Sequence, residues 1–267
     1  MMTFERQTYF ARIGFQAKAV PTFETLQHIH LLHTCSIPFE NLDVLLGRTI
    51  RLELDNVFEK LVVAGRGGYC YEQNALLRAA LEDIGFEVED LAARVLITQP
   101  PEMPPRTHRL LLVTINQQRY LADVGFGGKT LTSPLRLETD VEQPTAHGVY
   151  RLTHLESDYL LSIKQPDGWM PLYRFDLQPQ YFSDFQVANH YVSTWPESYF
   201  RHHLMVCLHK TDGTTLTLSD RQFSGEQREE IGDERAMYQL LQEKFGLRLD
   251  HGQHGISVAE FTAICPK

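Results

Sequence analysis

The chain has 267 residues, 43% hydrophobic and 22% charged, with a formal net charge of −9 at pH 7. That acidic balance argues against a nucleic-acid or anionic-membrane partner, and a chain of this length buries roughly three quarters of its unfolded surface without disulfide or metal staples. Glu5, Arg6 and Arg12 interrupt the N-terminal apolar residues, unlike a signal peptide, and the longest apolar run, 204–208, is too short to span a membrane. Cys35, Cys70, Cys207 and Cys265 are widely spaced with no CxxC pair, which reads as reduced thiols in a cytoplasm.

Thr22 predicts a helix N-cap, followed by Phe23, Leu26, Ile29 and Leu32 on one face. Asp55 predicts a second cap, with Val57, Phe58, Leu61 and Val62 ahead of Gly65. A third helix starts at or near Cys70, carries Leu77, Ala80, Leu81 and Ile84 at helical spacing and stops at Gly85. From about residue 90 the pattern turns strand-like, over 93–98, 108–115, 118–124, 149–153, 158–164 and 169–175, with a Pro-rich loop at 99–105. Asp167-Gly168 predicts one hairpin turn, and Asp212-Gly213 another between 204–209 and 214–218. Asp233 predicts a cap for a helix with Met237, Leu240, Leu241 and Phe245, ended by Gly246, and Ser257 with Glu260 has capping-box spacing for a last short helix. The order is a helical first third, a β-rich middle and a mixed α/β end, without internal repeats.

Chemistry concentrates around Arg66-Gly67-Gly68-Tyr69-Cys70-Tyr71-Glu72-Gln73-Asn74. The glycine pair allows positive φ and close approach to a ligand, and a thiol at a helix N-terminus is biased toward thiolate by the unpaired N–H groups. A lone cysteine is more often a small buried hydrophobe, so a nucleophile needs a base and a group to orient that base. His108 supplies a candidate base, because an antiparallel hairpin turning near Asn116-Gln117 places it across from about residue 125 and within reach of Asp123. A strand-end histidine and a turn aspartate would look the same.

Val124-Gly125-Phe126-Gly127-Gly128 follows the aspartate and either offers amides to an anion or is a plain glycine-rich turn. His28, His30 and His33 on a helix, and His203, Cys207 and His209 on a strand, do not read as metal sites. The second group reads as a core cysteine between solvent-edge histidines. Trp169, Trp195 and most of the 15 phenylalanines are expected in the core.

Taken in order, the blocks 37–43 (Ile-Pro-Phe-Glu-Asn-Leu-Asp), 66–74, 107–113 and 122–127, with a weaker block from Phe182 to Pro196, resemble the arylamine N-acetyltransferases, most closely the bacterial members. The resemblance covers nearly the whole chain. It implies an α+β fold: a helical bundle over 1–88, a β-barrel over 89–195 and an α/β lid over 196–267. It implies a papain-like Cys70-His108-Asp123 triad that takes an acetyl group from acetyl-CoA onto Cys70 and passes it to an arylamine, arylhydrazine or N-hydroxyarylamine. By the same resemblance Gly125, Gly127 and Gly128 lie near CoA, and Phe39, Tyr69, Val95 and Phe126 line the acceptor pocket. The Tyr71 amide is the expected oxyanion donor. A cytoplasmic monomer or homodimer needing no metal is expected. The chain departs from the family at Pro266-Lys267, where many members continue into a tail that shapes the cofactor cleft. Other acyl-CoA donors or a biosynthetic amine acceptor fit the same residues, and a papain- or transglutaminase-like hydrolase fits the triad alone.

Overall fold

The computed structural model describes residues 4–265 apart from 226 and 251, so the Pro266-Lys267 end lies outside the described residues. An unforeseen helix, α1 (Arg6–Ile13), buries Tyr9, Phe10 and Ile13 and ends at Gly14 in the left-handed region. In α2 (Phe23–Ser36) the Thr22 hydroxyl accepts the Thr25 amide, as the pattern predicts. A short strand, β1 (Phe39–Glu40), and one turn of helix, α3 (Leu42–Leu45), follow. The expected Asp55 cap is not used: α4 (Leu54–Phe58) starts after Glu53 without a side-chain cap and runs on as a π turn over Glu59–Val63. The turn accommodates Lys60, whose ammonium is drawn inward onto buried carboxylates. The third helix, α5 (Cys70–Ile84), ends at Gly85 at φ 105°, where a side chain would be strained. Helices α1, α2, α4 and α5 share a core with Leu26, Leu61, Leu77 and Leu81. Each such leucine contributes roughly 1.5–3 kcal/mol by burial.

The β-rich middle comprises β2 (Glu87–Val95), β3 (Arg106–Ile115), β4 (Gln118–Ala122), β5 (Leu135–Arg136), β6 (Gln143–Thr145), β7 (Gly148–Leu155), β8 (Asp158–Gln165) and β9 (Gly168–Phe175). They form one antiparallel sheet in the order β5-β4-β3-β2-β9-β8-β7-β6, curled into a nearly closed barrel around Leu91, Leu110, Leu121, Leu152, Leu161 and Leu172. The strand expected at 93–98 begins six residues earlier, at Glu87. Buried Asp90 breaks its apolar pattern, and Arg109 on β3 neutralises that carboxylate with two bonds, of 2.7 and 3.0 Å. The predicted Asp167-Gly168 hairpin joins β8 to β9.

Beyond the barrel lie α6 (Phe182–Thr194), β10 (Met205–His209), β11 (Thr215–Ser219), β12 (Gln222–Ser224), β13 (Arg228–Glu230), α7 (Glu234–Glu243) and α8 (Val258–Ile264). The Asp212-Gly213 hairpin, the Asp233 cap and the Ser257–Glu260 capping box all form. The second sheet runs β1-β10-β11-β12-β13, so its edge strand comes from the helical part of the chain, with Phe39 opposite Cys207.

Some core expectations are corrected. Trp195 is 46% exposed and stacks on Tyr191, while Trp169 is half-buried under the Arg151 guanidinium, 4.3 Å from the ring centroid. His209 is buried beside Cys207, edge-on to His147, which is held by the Thr132 hydroxyl and the Lys210 carbonyl. His203 precedes β10 and pairs with Asp220 at 2.8 Å. Among the described residues no cluster of three or more His, Cys, Asp or Glu is placed to hold a metal, and no helix is long and apolar enough to cross a membrane.

Candidate active site

The loop before α5 is shaped by packing. Gly67 and Gly68 do not adopt positive φ. A Cβ at Gly67 would stand 2.2 Å from the Pro38 carbonyl oxygen, and one at Gly68 would stand 2.6 Å from the Glu72 carboxylate. The expected close approach therefore meets protein. Behind the loop Arg66 is fully buried on Glu40, at 2.7 Å, and Lys60 bridges Asp43 and Glu72, each at 2.8 Å. Glu72 in turn accepts the Tyr69 N–H at 3.1 Å. Burial raises the Glu72 pKa although Lys60 pulls it down. The Asp43 carboxylate ends below its usual range, because Lys60 and Arg66 outweigh its burial. These buried charges anchor the residue before Cys70, and sequence reasoning missed them; charged residues clustered inside the 37–43 and 66–74 blocks were the available signal.

Cys70 opens α5, with its Sγ 3.9 Å from the Thr107 carbonyl and close enough to His108 to raise that imidazole's pKa. His108 Nε2 lies 2.7 Å from Asp123 Oδ2, which leaves Nδ1 to the thiol side. The hairpin explains the meeting: β3 and β4 pair Leu111 with Ala122, and the ladder extended outward sets His108 opposite Gly125. Cys70 is 5% exposed, His108 3% and Asp123 0%, so the line of three is screened from bulk water. Burial alone would lower the His108 pKa, but the Asp123 carboxylate and Cys70 outweigh it and raise it to about 10. Burial would raise the Asp123 pKa; His108, Asn74 and the Gly125 amide reverse that and lower it. Asp123 Oδ1 accepts from Asn74 Nδ2 at 3.0 Å and from the Gly125 N–H at 2.9 Å, and Oδ2 also accepts the Tyr173 hydroxyl at 3.0 Å.

The turn beyond Asp123 does two things. The Gly125 amide is already donated to Asp123, whereas Gly127, at φ 73°, and Gly128 form a 3-10 turn with Lys129. Phe126 packs edge-on to His108 at 4.9 Å between ring centroids. Phe39 lies beneath Gly127, 3.7 Å from where a Cβ would be. Val95 is half-buried at the end of β2, opposite Tyr173. Tyr69 is buried, with its hydroxyl bonded to Asn189 of α6.

None of those four residues lines the cavity of about 390 Å³ that opens beside His108. Its mainly apolar walls include Tyr71, Ala92, Thr107, Phe185, Ala188 and Tyr191. Much of that wall is α6, a helix the sequence reading missed. Phe185, Asn189 and Val192 are its buried residues, at i, i+4 and i+7, but Asn189 breaks the apolar face and exposed Val187 and Tyr191 blur it. Arg109 ties the wall together, with its guanidinium 4.6 Å from the Phe185 ring centroid and donating to the Tyr71 carbonyl at 3.4 Å.

Known proteins share this sequence and fold. Residues 22–254 match the N-acetyltransferase family model. A relative from Salmonella typhimurium, named arylamine N-acetyltransferase / N-hydroxyarylamine O-acetyltransferase, is 46% identical over 98% of this chain and 96% of its own. A solved arylamine N-acetyltransferase structure from Salmonella typhimurium superposes with a TM-score of 0.95 at 45% identity, covering 97% of both chains. The Mycobacterium marinum arylamine N-acetyltransferase in complex with CoA superposes with a TM-score of 0.91 at 35% identity, over 98% of this chain and all of that one. With this fold, and with relatives of this identity along almost its whole length, the chain belongs to the arylamine N-acetyltransferase family of acyltransferases.

Proposed function

We propose that the protein moves an acetyl group from acetyl-CoA to arylamines and arylhydrazines, and to the oxygen of N-hydroxyarylamines, through a thioester on Cys70. The observation that carries this reading is Cys70 at the start of α5 beside His108, which Asp123 holds at 2.7 Å. In the first half-reaction the Cys70 sulfur attacks the acetyl carbonyl carbon. The oxyanion forms beside the Tyr71 amide, which has no acceptor within the first turn of the helix. Collapse breaks the bond to the CoA sulfur, which leaves with the proton held on His108. In the second, the amine nitrogen attacks the thioester carbon, His108 takes the nitrogen's proton, and Cys70 leaves as thiolate.

Exchange between two thioesters is nearly balanced in energy, so the site supplies a reactive thiol and a preorganised oxyanion site rather than driving force. An aromatic amine is weakly basic and already neutral at pH 7, so a single imidazole suffices as base. The 390 Å³ cavity, apolar and flanking His108, suits the aryl ring, and Phe39, Tyr69, Val95 and Phe126, outside that cavity, are the further acceptor contacts of this reading. Gly127 and Gly128 fit the CoA side of the cleft, and Gly125 acts there through Asp123. The CoA bound in the Mycobacterium marinum relative and the O-acetyltransferase name of the Salmonella relative support both substrates.

Intact-protein mass spectrometry with acetyl-CoA and no acceptor tests the reading. One acetyl adduct, mapped to Cys70 and discharged by an added arylamine, is expected. Adducts with other acyl-CoAs but none with acetyl-CoA would overturn the donor; no adduct with any donor would overturn acyl transfer.

A further inference from the structure

Two histidines one turn apart on α2, His30 and His33, are fully buried and take no part in the proton transfers above. His33 is satisfied at both nitrogens, by the Tyr9 hydroxyl at 2.9 Å and Gln73 Oε1 at 2.7 Å. His30 differs. Its Nε2 accepts the backbone N–H of Asp123 at 3.1 Å, while Nδ1 has no hydrogen-bond partner among the described residues. Accepting at Nε2 puts the ring proton on Nδ1.

Asp123 needs that acceptor because it stands just where the β3–β4 ladder has ended, with Ala122 the last paired residue of β4. Its N–H goes to His30, and its carbonyl oxygen accepts the Thr130 hydroxyl at 2.9 Å. With the backbone held from both sides, the carboxylate meets Asn74, Gly125, His108 and Tyr173. We propose that His30 is a positioning residue for the Cys70–His108–Asp123 line: an uncharged acceptor that fixes the Asp123 backbone and, through it, the carboxylate that orients His108. This rests on the catalytic reading of those three residues. Asp123, His33 and His209 are the titratable groups around the His30 ring, and burial, outweighing the pull of Asp123, holds its pKa down at about 3. It therefore stays an acceptor at neutral pH. A protonated His30 would lose that role and set a second cation beside the carboxylate that His108 uses.

The test is the pH dependence of Cys70 alkylation by iodoacetamide, followed by intact mass, in the wild type, His30→Leu and His30→Gln, alongside acetyl-CoA kinetics and thermal unfolding. The Gln side-chain oxygen stands as many bonds from Cα as Nε2 does, so it can accept the same N–H. Expected is a wild-type profile for His30→Gln. For His30→Leu, alkylation at pH 7 slows about tenfold, its inflection moves to higher pH, and acetylation falls on the order of 10²-fold with KM for acetyl-CoA unchanged. A lower Tm in His30→Leu with an unchanged alkylation profile would make His30 merely structural and overturn the proposal. So would a folded His30→Gln that shares the leucine defect. If His30→Leu does not fold, His30→Asn, whose amide is too short to reach, takes its place with the same expectation. Alkylation needs no acyl donor, so a missing acetyl adduct in the wild type would count against acyl transfer alone.

Discussion

Gly125 lies so close to Cys70 that a Cβ on it would stand 2.6 Å from the Cys70 Cα and 2.9 Å from Asn74 Nδ2. The turn after Asp123 thus rests directly on the first turn of α5, where the nearest atom is backbone and the Asn74 amide is held by the Arg109 carbonyl and Asp123. Gly125→Ala is expected to cost about 1–3 kcal/mol by overpacking and to push Cys70 away from His108, with acetylation falling more than tenfold. Gly232→Ala, where nothing lies within 4 Å and φ is ordinary, is the control and is expected to stay within about 0.5 kcal/mol of wild type. Urea unfolding and the acetyl-adduct rate check both.

The Lys60 ammonium carries two buried carboxylates, Asp43 and Glu72. Lys60→Met leaves Glu72 without a counter-ion and Asp43 with only Arg48 and Arg66, each at 3.5 Å, which costs about 3–5 kcal/mol at pH 7. In the variant the Glu72 pKa, already raised by burial and no longer pulled down by Lys60, rises further above its unfolded value, so stability is retained at low pH and lost as pH rises through the folded pKa. The deficit against wild type should therefore be smaller at pH 5 than at pH 7. Denaturant titrations at the two pH values measure it, and an equal deficit at both would contradict the pairing.

His108 titrates in the opposite sense to an ordinary carboxylate. Its folded pKa, raised to about 10, lies above the unfolded value, so its stabilisation is complete below about pH 6.5 and disappears as pH climbs through about 10. The Tm gap between wild type and His108→Gln should be widest near pH 6 and close toward pH 10. Thermal unfolding across that range tests the charge pair with Asp123 separately from catalysis.

Ala188 of α6 lines the cavity beside His108 and leaves room above it. Ala188→Phe should lower kcat/KM for aryl acceptors at least about tenfold by filling that space, while the burst of Cys70 acetylation keeps its rate. Rapid-quench measurement of the burst beside steady-state acceptor kinetics separates the two half-reactions. A slowed burst would assign the cavity to the donor instead.

Much of the local structure was legible because it is decided by neighbours in sequence. Thr22, Asp233 and the Ser257–Glu260 pair cap their helices, and Gly85 ends α5. Asp167-Gly168 and Asp212-Gly213 turn their hairpins. Where the reading failed, polar residues interrupted the apolar period: Asp90 hid the start of β2, and Asn189 hid α6. Each is buried against a partner that periodicity does not see, Arg109 for the first and Tyr69 for the second.

The sequence alone therefore determined the helix and hairpin frame and, through the tight β3–β4 turn, the meeting of His108 with Asp123, since a hairpin's register follows from its turn. Tertiary structure alone decided what surrounds that pair. His30 reaches Asp123 from 93 positions away, Asn189 reaches Tyr69 from 120, and Phe39 pairs with Cys207 across two otherwise separate parts of the chain. Such contacts depend on how whole helices and sheets pack, and burial turns them into strong constraints: an unpaired N–H or carboxylate costs little in water but kilocalories in a dry core.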